Sequence, residues 1–186
     1  WPVRETVRKC ARTYATQLSI IEQYPEYIFG ASMPQHYQFM KDQYPEIYQR
    51  IKDAVKSGNW ELQGGMWIEA DCNLISGESM VRQFLKGKNF YKDEFDIEVD
   101  NLWLPDVFGY SAALPQILKR SGVNYFLTQK LSWSQFNEFP HQTFNWRGID
   151  GSEVLTHFPP ENTYNSELDT EFLLPAVTGF KEKDKL

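Results

Sequence analysis

Hydrophobic residues recur at three- and four-residue steps over the first 24 positions of the chain. The apolar positions are Val3, Val7, Cys10, Tyr14, Leu18 and Ile21. This spacing is typical of a helix that buries one face and leaves the other in water. Pro2 suits the first position of a helix, and Pro25 cannot continue one. The pattern therefore predicts an amphipathic helix over residues 1–24.

Proline and glycine divide the rest of the chain into helical and extended segments. Pro34 and Pro45 suit helix starts, and Gly58 and Gly122 suit the positions just after helices. Further helices are predicted over residues 34–44, 45–57, 77–95, 112–121 and 170–180. Strands are predicted over residues 27–31, 60–68, 97–103, 123–128 and 154–157, where β-branched and aromatic residues are frequent, and Gly64-Gly65 interrupts the second of them.

Strands and helices alternate in this order, which indicates parallel strands joined by helical crossovers. The fold class is predicted to be α/β, with an incomplete β/α barrel-like parallel sheet and flanking helices. Residues 1–186 are expected to be part of one β/α domain, truncated at both ends, because the terminal helices need further partners. Residues 132–151 are predicted to be one long loop, and a loop of that length is usually functional.

Composition narrows the class of partner. Hydrophobic residues make up 41% of the chain and charged residues 24%, as in ordinary folded domains. The net charge of −6 argues against nucleic acid or an anionic membrane as a partner. No apolar run is long enough to span a membrane. Two cysteines without a CxxC pairing favour a reducing, cytoplasmic compartment.

The stretch WLPDVFGYS, residues 103–111, contains the strongest candidate for chemistry. Asp106 falls just past the end of a predicted strand and before a predicted helix, at the edge of the sheet where α/β enzymes gather catalytic groups. Phe108 and Tyr110 add aromatic surface that suits a sugar ring. An alternative is that Asp106 only caps the helix that follows.

Seven pieces of the sequence, in this order, resemble the N-terminal catalytic domain of glycoside hydrolase family 38, the α-mannosidases, in its cytosolic and bacterial branch. The pieces are WPVRET, GGMWIEADCNL, SGESMVRQF, WLPDVFGYSAALPQI, YFLTQKLSW, FPHQTFNWRGIDGS and THFPPENTYNS. The resemblance covers nearly the whole chain. It implies a retaining exo-α-mannosidase that uses a divalent metal, usually zinc, with cobalt or manganese as substitutes.

The resemblance makes Asp106 both the catalytic nucleophile and one of four metal ligands. A His and an Asp ligand of the family lie in a His-x-Asp-x-x-Trp motif just before the segment similar to WPVRET, and another His ligand and the general acid lie downstream. This chain contains none of these, so we expect it to be inactive alone. The implied partners are an α-mannoside oligosaccharide, the remainder of the same enzyme chain, and further copies in a homo-oligomer.

Five more residues are predicted to bind substrate. The resemblance implies that Phe108 lines the sugar subsite, that Lys130 is a basic residue near the active site and that Tyr164 contacts the sugar. Glu69 and Asp71 follow the second predicted strand at the same edge as Asp106 and could bind sugar hydroxyls. The alternatives are core packing for Phe108, and solvated surface positions for Lys130 and the two carboxylates.

The three histidines lack metal-ligand spacing, so none of them is predicted to be a ligand. His36 is expected on a helix surface, His157 in a structural role, and His141 in the long loop, where it could touch substrate. Two other functions remain open. One is a metal-dependent carbohydrate deacetylase of a related barrel type, which would need an Asp-Asp pair and a closely spaced His pair. The other, for the isolated chain, is a non-catalytic carbohydrate-binding module.

Overall fold

The computed structural model describes residues 2–137, 139–167 and 169–182. The α-helices among these residues are α1 (Val3–Gln23), α2 (Pro34–Gln43), α3 (Pro45–Ser57), α4 (Gly77–Phe95), α5 (Leu114–Arg120) and α6 (Thr170–Gly179). The strands are β1 (Phe29–Ser32), β2 (Trp60–Gln63), β3 (Asn101–Leu104), β4 (Tyr125–Thr128), β5 (Thr143–Arg147) and β6 (Glu153–His157). A short 3-10 helix covers Lys130–Trp133.

The predicted helices all form, with ends that move by three residues or fewer, although the predicted start at Trp1 lies outside the described residues. Proline stands at the first position of α2 and of α3. Gly58 caps α3 with a φ of 84°, and its N–H donates to the carbonyls of Ala54 and Val55. A residue with a Cβ would be strained in this left-handed conformation, which is why the helix ends there.

The chain divides into two compact units, and the first comprises Trp1–Ile68 and Gln83–Val99. In it β1 and β2 run parallel, with Phe29 opposite Trp60. The Trp60 indole N–H donates to the Tyr37 hydroxyl at 2.9 Å, and that hydroxyl donates to the carbonyl of Ala31 at 2.9 Å. Burial raises the pKa of Tyr37, so the phenol stays neutral. Paired polar atoms therefore allow large aromatic side chains to fill this core.

The second unit comprises Glu69–Arg82 and Asp100–Leu186 and contains a four-stranded sheet in the order β3-β4-β6-β5. The strands β3, β4 and β6 run parallel, and Leu104 lies opposite Thr128 where β3 and β4 end. Leu114 and Leu118 of α5, one helical turn apart, are fully buried. The α/β class predicted from the sequence, with parallel strands and flanking helices, is confirmed.

A β-hairpin occupies part of the stretch predicted as one long loop. The strand β5 pairs antiparallel with β6, so the prediction of parallel strands alone is wrong here. Gly148 N–H donates to the Ser152 carbonyl at 2.9 Å, and Gly151 has a φ of 87°. The Asp150 carboxylate accepts from the Ser152 N–H at 3.0 Å. Asp150 and Gly151 thus favour a tight turn, and a tight turn between two strands makes a hairpin.

Two strands are shorter than predicted by three residues or more. The strand β2 ends at Gln63 instead of residue 68, because Gly64 has a φ of 73° and leaves the extended conformation. The strand β3 begins at Asn101 instead of residue 97. Across the described part of the chain, no helix is both long enough and apolar enough to cross a bilayer.

Candidate active site

Asp106 lies two residues after the end of β3, between two buried residues. Leu104 has no exposed surface and Val107 is buried, whereas the Asp106 side chain is 58% exposed. The helix α5 begins at Leu114, and its N-terminal cap is Ala113, so the interpretation of Asp106 as a helix cap is wrong. Anchors on both sides thus present the carboxylate to solvent at the carboxyl end of a parallel strand.

Hydroxyl groups brace the loop that carries Asp106. Tyr110 donates to the carbonyl of Val107 at 2.6 Å, and Thr128 of β4 donates to the carbonyl of Leu104 at 2.9 Å. The two hydroxyl groups also lie next to each other. Burial raises the pKa of Tyr110, which keeps this phenol protonated and able to donate. The backbone on either side of Asp106 is therefore fixed by hydrogen bonds that the sequence did not reveal.

Lys130 follows the end of β4 as Asp106 follows the end of β3. Because β3 and β4 are parallel neighbours, the two residues emerge at the same edge of the sheet. The Lys130 ammonium lies 2.9 Å from Asp106 Oδ1, and the lysine side chain is only 4% exposed. The structure thus contradicts the interpretation of Lys130 as a solvated surface lysine.

Tyr164 completes a triangle of hydrogen bonds with these two residues. Its hydroxyl lies 3.2 Å from the Lys130 ammonium and 3.4 Å from Asp106 Oδ1. Burial disfavours the charged form of Lys130, but the hydrogen bonds with Asp106 and Tyr164 outweigh this effect and raise the lysine pKa. Lys130 is therefore a fixed positive charge at neutral pH and cannot serve as a general base there.

Three aromatic rings surround the lysine ammonium. Its nitrogen lies 4.1 Å from the ring centroid of Trp133, 4.5 Å from that of Tyr164 and 5.1 Å from that of Phe108. Phe108 is 66% exposed and packs edge to face on Trp133 at 5.8 Å, so its interpretation as a core residue is wrong. Phe108 also lines an apolar cavity of about 420 Å³. Trp133 is a further site residue, and the sequence pattern places it only in the long loop.

Asp71 contributes to the shape of the loop rather than to the triangle. Its Oδ1 accepts from the N–H of Asn73 at 2.9 Å, and the N–H of Cys72 donates to the carbonyl of Gly109 at 3.1 Å. The turn at residues 71–73 is thus tied to the loop after Asp106. Glu69 is half-buried and stands six residues beyond the end of β2. Direct contact of Glu69 or Asp71 with a substrate stays a prediction.

The histidines belong to other parts of the structure. His157 Nδ1 pairs with the Thr143 hydroxyl at 2.8 Å, which links β6 to β5. Burial lowers the pKa of His157, so a neutral ring is favoured. His141 Nδ1 lies 3.0 Å from Glu182. His36 is half-buried on α2, and burial lowers its pKa as well.

The described residues do not by themselves fit a divalent metal. Residues 2–137, 139–167 and 169–182 contain no group of three His, Cys, Asp or Glu side chains that could hold an ion. Asp106 offers one carboxylate, and its Oδ1 is already paired with an ammonium. A metal at Asp106 would need its other ligands from outside the described residues. The pairs of Asp and His that a deacetylase requires are likewise not assembled around Asp106 in the described structure.

Comparison with known proteins identifies the family of the chain. The family described as Glycosyl hydrolases family 38 N-terminal domain matches residues 1–186. The chain is 49% identical over 185 residues to Alpha-mannosidase 2C1 of Homo sapiens and 48% identical over 185 residues to Alpha-mannosidase G of Dictyostelium discoideum. Each match covers 100% of this chain but only 18% and 17% of the relatives, respectively.

A solved structure shows the same fold. The crystal structure of an alpha-mannosidase from Enterococcus faecalis V583 superimposes with a TM-score of 0.74 at 20% sequence identity. The match covers 96% of this chain and 21% of that one. Because the family match extends over every residue and two relatives exceed 30% identity along the full chain, the chain belongs to the glycosyl hydrolase family 38 N-terminal domain family.

Proposed function

We propose that the full-length protein is a retaining α-mannosidase in which Asp106 attacks the anomeric carbon of a terminal α-linked mannose. The observation that carries this proposal is an exposed carboxylate at the carboxyl end of β3, held by a buried ammonium at 2.9 Å. The relatives that match the whole chain are themselves named alpha-mannosidases, which supports the same activity. This chain spans less than a fifth of their length, so the activity is proposed for the complete protein.

The contacts of Asp106 favour one of its oxygens as the attacking atom. Lys130 and Tyr164 both bind Oδ1, so Oδ2 is the oxygen that forms the bond to the sugar. As that bond forms, the bond from the anomeric carbon to the leaving oxygen breaks, and a carboxylic acid gives this oxygen its proton. Water then releases mannose, and the two inversions retain configuration. The second carboxyl group is not assigned to a residue of this chain.

The residues around Asp106 suit the recognition of a sugar. The exposed ring of Phe108 offers an apolar face for the sugar ring. Tyr164 and Lys130 place a hydroxyl and an ammonium next to Asp106, and these two donors could bind sugar hydroxyls. We retain Glu69 and Asp71 as further contacts, with Asp71 also shaping the loop. An α-mannoside oligosaccharide is the substrate class that these proposals imply.

The cofactor belongs to the same proposal. Asp106 is the residue of this chain that would bind a divalent metal, zinc or alternatively cobalt or manganese, with ligands from outside the described residues. Carboxylate and imidazole ligands are typical for these ions. When bound, the ion would act as a Lewis acid that holds hydroxyl groups of the sugar and orients the ring toward the nucleophile. We also propose a cytoplasmic location, because the two cysteines lack a CxxC pairing and favour a reducing compartment. The protein is further proposed to form a homo-oligomer, and the remainder of each chain completes its site.

Replacing the nucleophile tests the proposal. In the full-length protein, Asp106→Ala should lower kcat for p-nitrophenyl α-mannoside by about 10³-fold or more, because loss of a nucleophile removes the covalent route. The matched control is Asp93→Ala, which removes an exposed aspartate on α4 and should leave kcat within about twofold. If Asp106→Ala loses less than about tenfold, Asp106 is not the nucleophile.

A further inference from the structure

We propose that Trp133 is a positioning residue that holds the Lys130 ammonium against Asp106. This inference rests on the proposed function of Asp106 as nucleophile. Trp133 is 67% exposed, although tryptophan is a residue that usually contributes to the core. The ring contacts a charge and a neighbouring aromatic ring instead, and this arrangement calls for a functional explanation.

The local helix places the indole over the lysine. Lys130–Trp133 is a 3-10 helix, which has three residues per turn, so the side chains of its first and fourth residues lie on the same side. Lys130 and Trp133 are these two residues. The indole centroid is therefore 4.1 Å from the ammonium, closer than the ring of Tyr164 or Phe108.

The chemistry of the ammonium explains what the indole adds. An ammonium group has three N–H donors, and in the described structure two oxygen partners, Asp106 Oδ1 and the Tyr164 hydroxyl, accept from it. The face of an aromatic ring attracts a cation, and tryptophan does so most strongly. Trp133 thus stabilises the charge of a buried lysine in addition to its two oxygen partners.

The lysine in turn keeps Asp106 in place. Without the indole, the flexible lysine side chain gains water and alternative rotamers, and its contact with Oδ1 becomes transient. Trp133 then acts on catalysis through Lys130 and needs no contact with the sugar of its own. The competing explanation is that Trp133 stacks on the sugar. The exposed surface of the indole is large enough for such a contact, so the experiment must distinguish the two roles.

A double-mutant cycle in the full-length protein separates the two roles. Trp133→Ala should lower kcat for p-nitrophenyl α-mannoside by about tenfold and change KM by less than twofold, an effect of the size expected for one buried cation–ring contact. In a Lys130→Met background the same change should alter kcat by less than twofold, because the group that Trp133 holds is gone. Trp133→Phe should keep at least a third of kcat.

Chemical labelling supplies a readout that does not depend on activity. Acetylation of Lys130, followed by mass spectrometry of the native protein, should be about tenfold faster in Trp133→Ala than in the wild type or in Trp133→Phe. An unchanged labelling rate would overturn the proposal. A Trp133→Ala effect of equal size in the Lys130→Met background, or a raised KM with normal kcat, would overturn it in favour of stacking or of a purely structural role.

Failure of the inference is distinguishable from failure of the proposed function. If Asp106→Ala keeps its activity, the nucleophile assignment falls whatever Trp133 does. If Asp106→Ala is inactive and the cycle shows no coupling between Lys130 and Trp133, the role of Trp133 alone is wrong.

Discussion

Gly109 occupies a position where a single added methyl group should disturb the site. A Cβ at residue 109 would lie 2.2 Å from Asp71 Oδ1 and 2.6 Å from Asn73 Nδ2. Real Cβ contacts essentially never fall below 3.0 Å, so the first contact is 0.8 Å too short. The backbone φ is not the obstacle at this glycine, which makes Gly109→Ala a test of close packing alone.

The structure sets the size of the expected effect. Asp71 and Asn73 have short side chains. Two hydrogen bonds hold their turn in place: the Asn73 N–H donates to Asp71 Oδ1, and the Cys72 N–H donates to the Gly109 carbonyl. To make room, the turn must lose one of these bonds or move away from the loop. Either change should cost about 1–3 kcal/mol of stability. A displacement of about 1 Å near a nucleophile can lower activity by about 10²-fold.

The assay compares two glycines that differ in their surroundings. Gly109→Ala in the full-length protein should lower kcat/KM for p-nitrophenyl α-mannoside by about 10- to 100-fold. It should also lower the temperature of half-inactivation. Gly77→Ala is the control, because a Cβ at Gly77 meets nothing within 4 Å. If Gly109→Ala behaves like Gly77→Ala in both measurements, the turn at residues 71–73 does not support the Asp106 loop.

Two further predictions concern charge. Burial alone would raise the pKa of Glu94, but hydrogen bonds from Lys41, Tyr48 and Lys52 outweigh it and lower this pKa to about 2. A carboxyl group whose pKa is lowered on folding stabilises the folded state at pH values above its ordinary pKa of 4.5. This stabilisation is lost as the pH falls toward the folded-state pKa of about 2. Glu94→Gln should therefore lower the free energy of unfolding, measured in urea at pH 7, by about 1–3 kcal/mol. The difference in unfolding free energy between the variant and the wild type should become smaller below pH 4.5. A difference that does not change with pH would contradict the lowered pKa of Glu94. Elemental analysis of the full-length protein should find less bound divalent metal in Asp106→Ala than in Asp93→Ala, and equal metal content would remove Asp106 as a ligand.

The sequence predicted the centre of the candidate site because that part depends on the order of strands. Asp106 and Lys130 each follow a predicted strand, and parallel neighbours bring their carboxyl ends to one edge. Phe108 and Tyr164 were predicted through the family resemblance, and the structure brings both against Lys130. The alternation of strands and helices along the chain is a coarse property, and the apolar pattern with its helix-ending residues is enough to predict it.

Other features were not predictable because they depend on how a loop is folded. The contact of Trp133 with Lys130 requires the three-residue turn of a 3-10 helix, whereas the sequence pattern predicts one loop over residues 132–151. The hairpin of β5 and β6 is different, because the Asp150-Gly151 pair in its turn is a hairpin signal that the prediction of one long loop did not use. Asp71 was assigned to a strand end, but β2 ends eight residues earlier and a backbone hydrogen bond from Cys72 brings the turn to the loop.

The two charges of the site are held in opposite ways, and their roles require this difference. The nucleophile proposed above must be reachable, and Asp106 is reachable because the buried residues Leu104 and Val107 hold the backbone while the carboxylate stays in water. Its partner must not move, and Lys130 is fixed because rings and oxygens surround it, at the cost of removing its charge from water. An exposed lysine would exchange its contact with Asp106 for solvent, and a buried aspartate could not approach a sugar. Exchanging the two residues, as Asp106→Lys with Lys130→Asp, would therefore bury a carboxylate among aromatic rings and abolish activity even though the charges still pair.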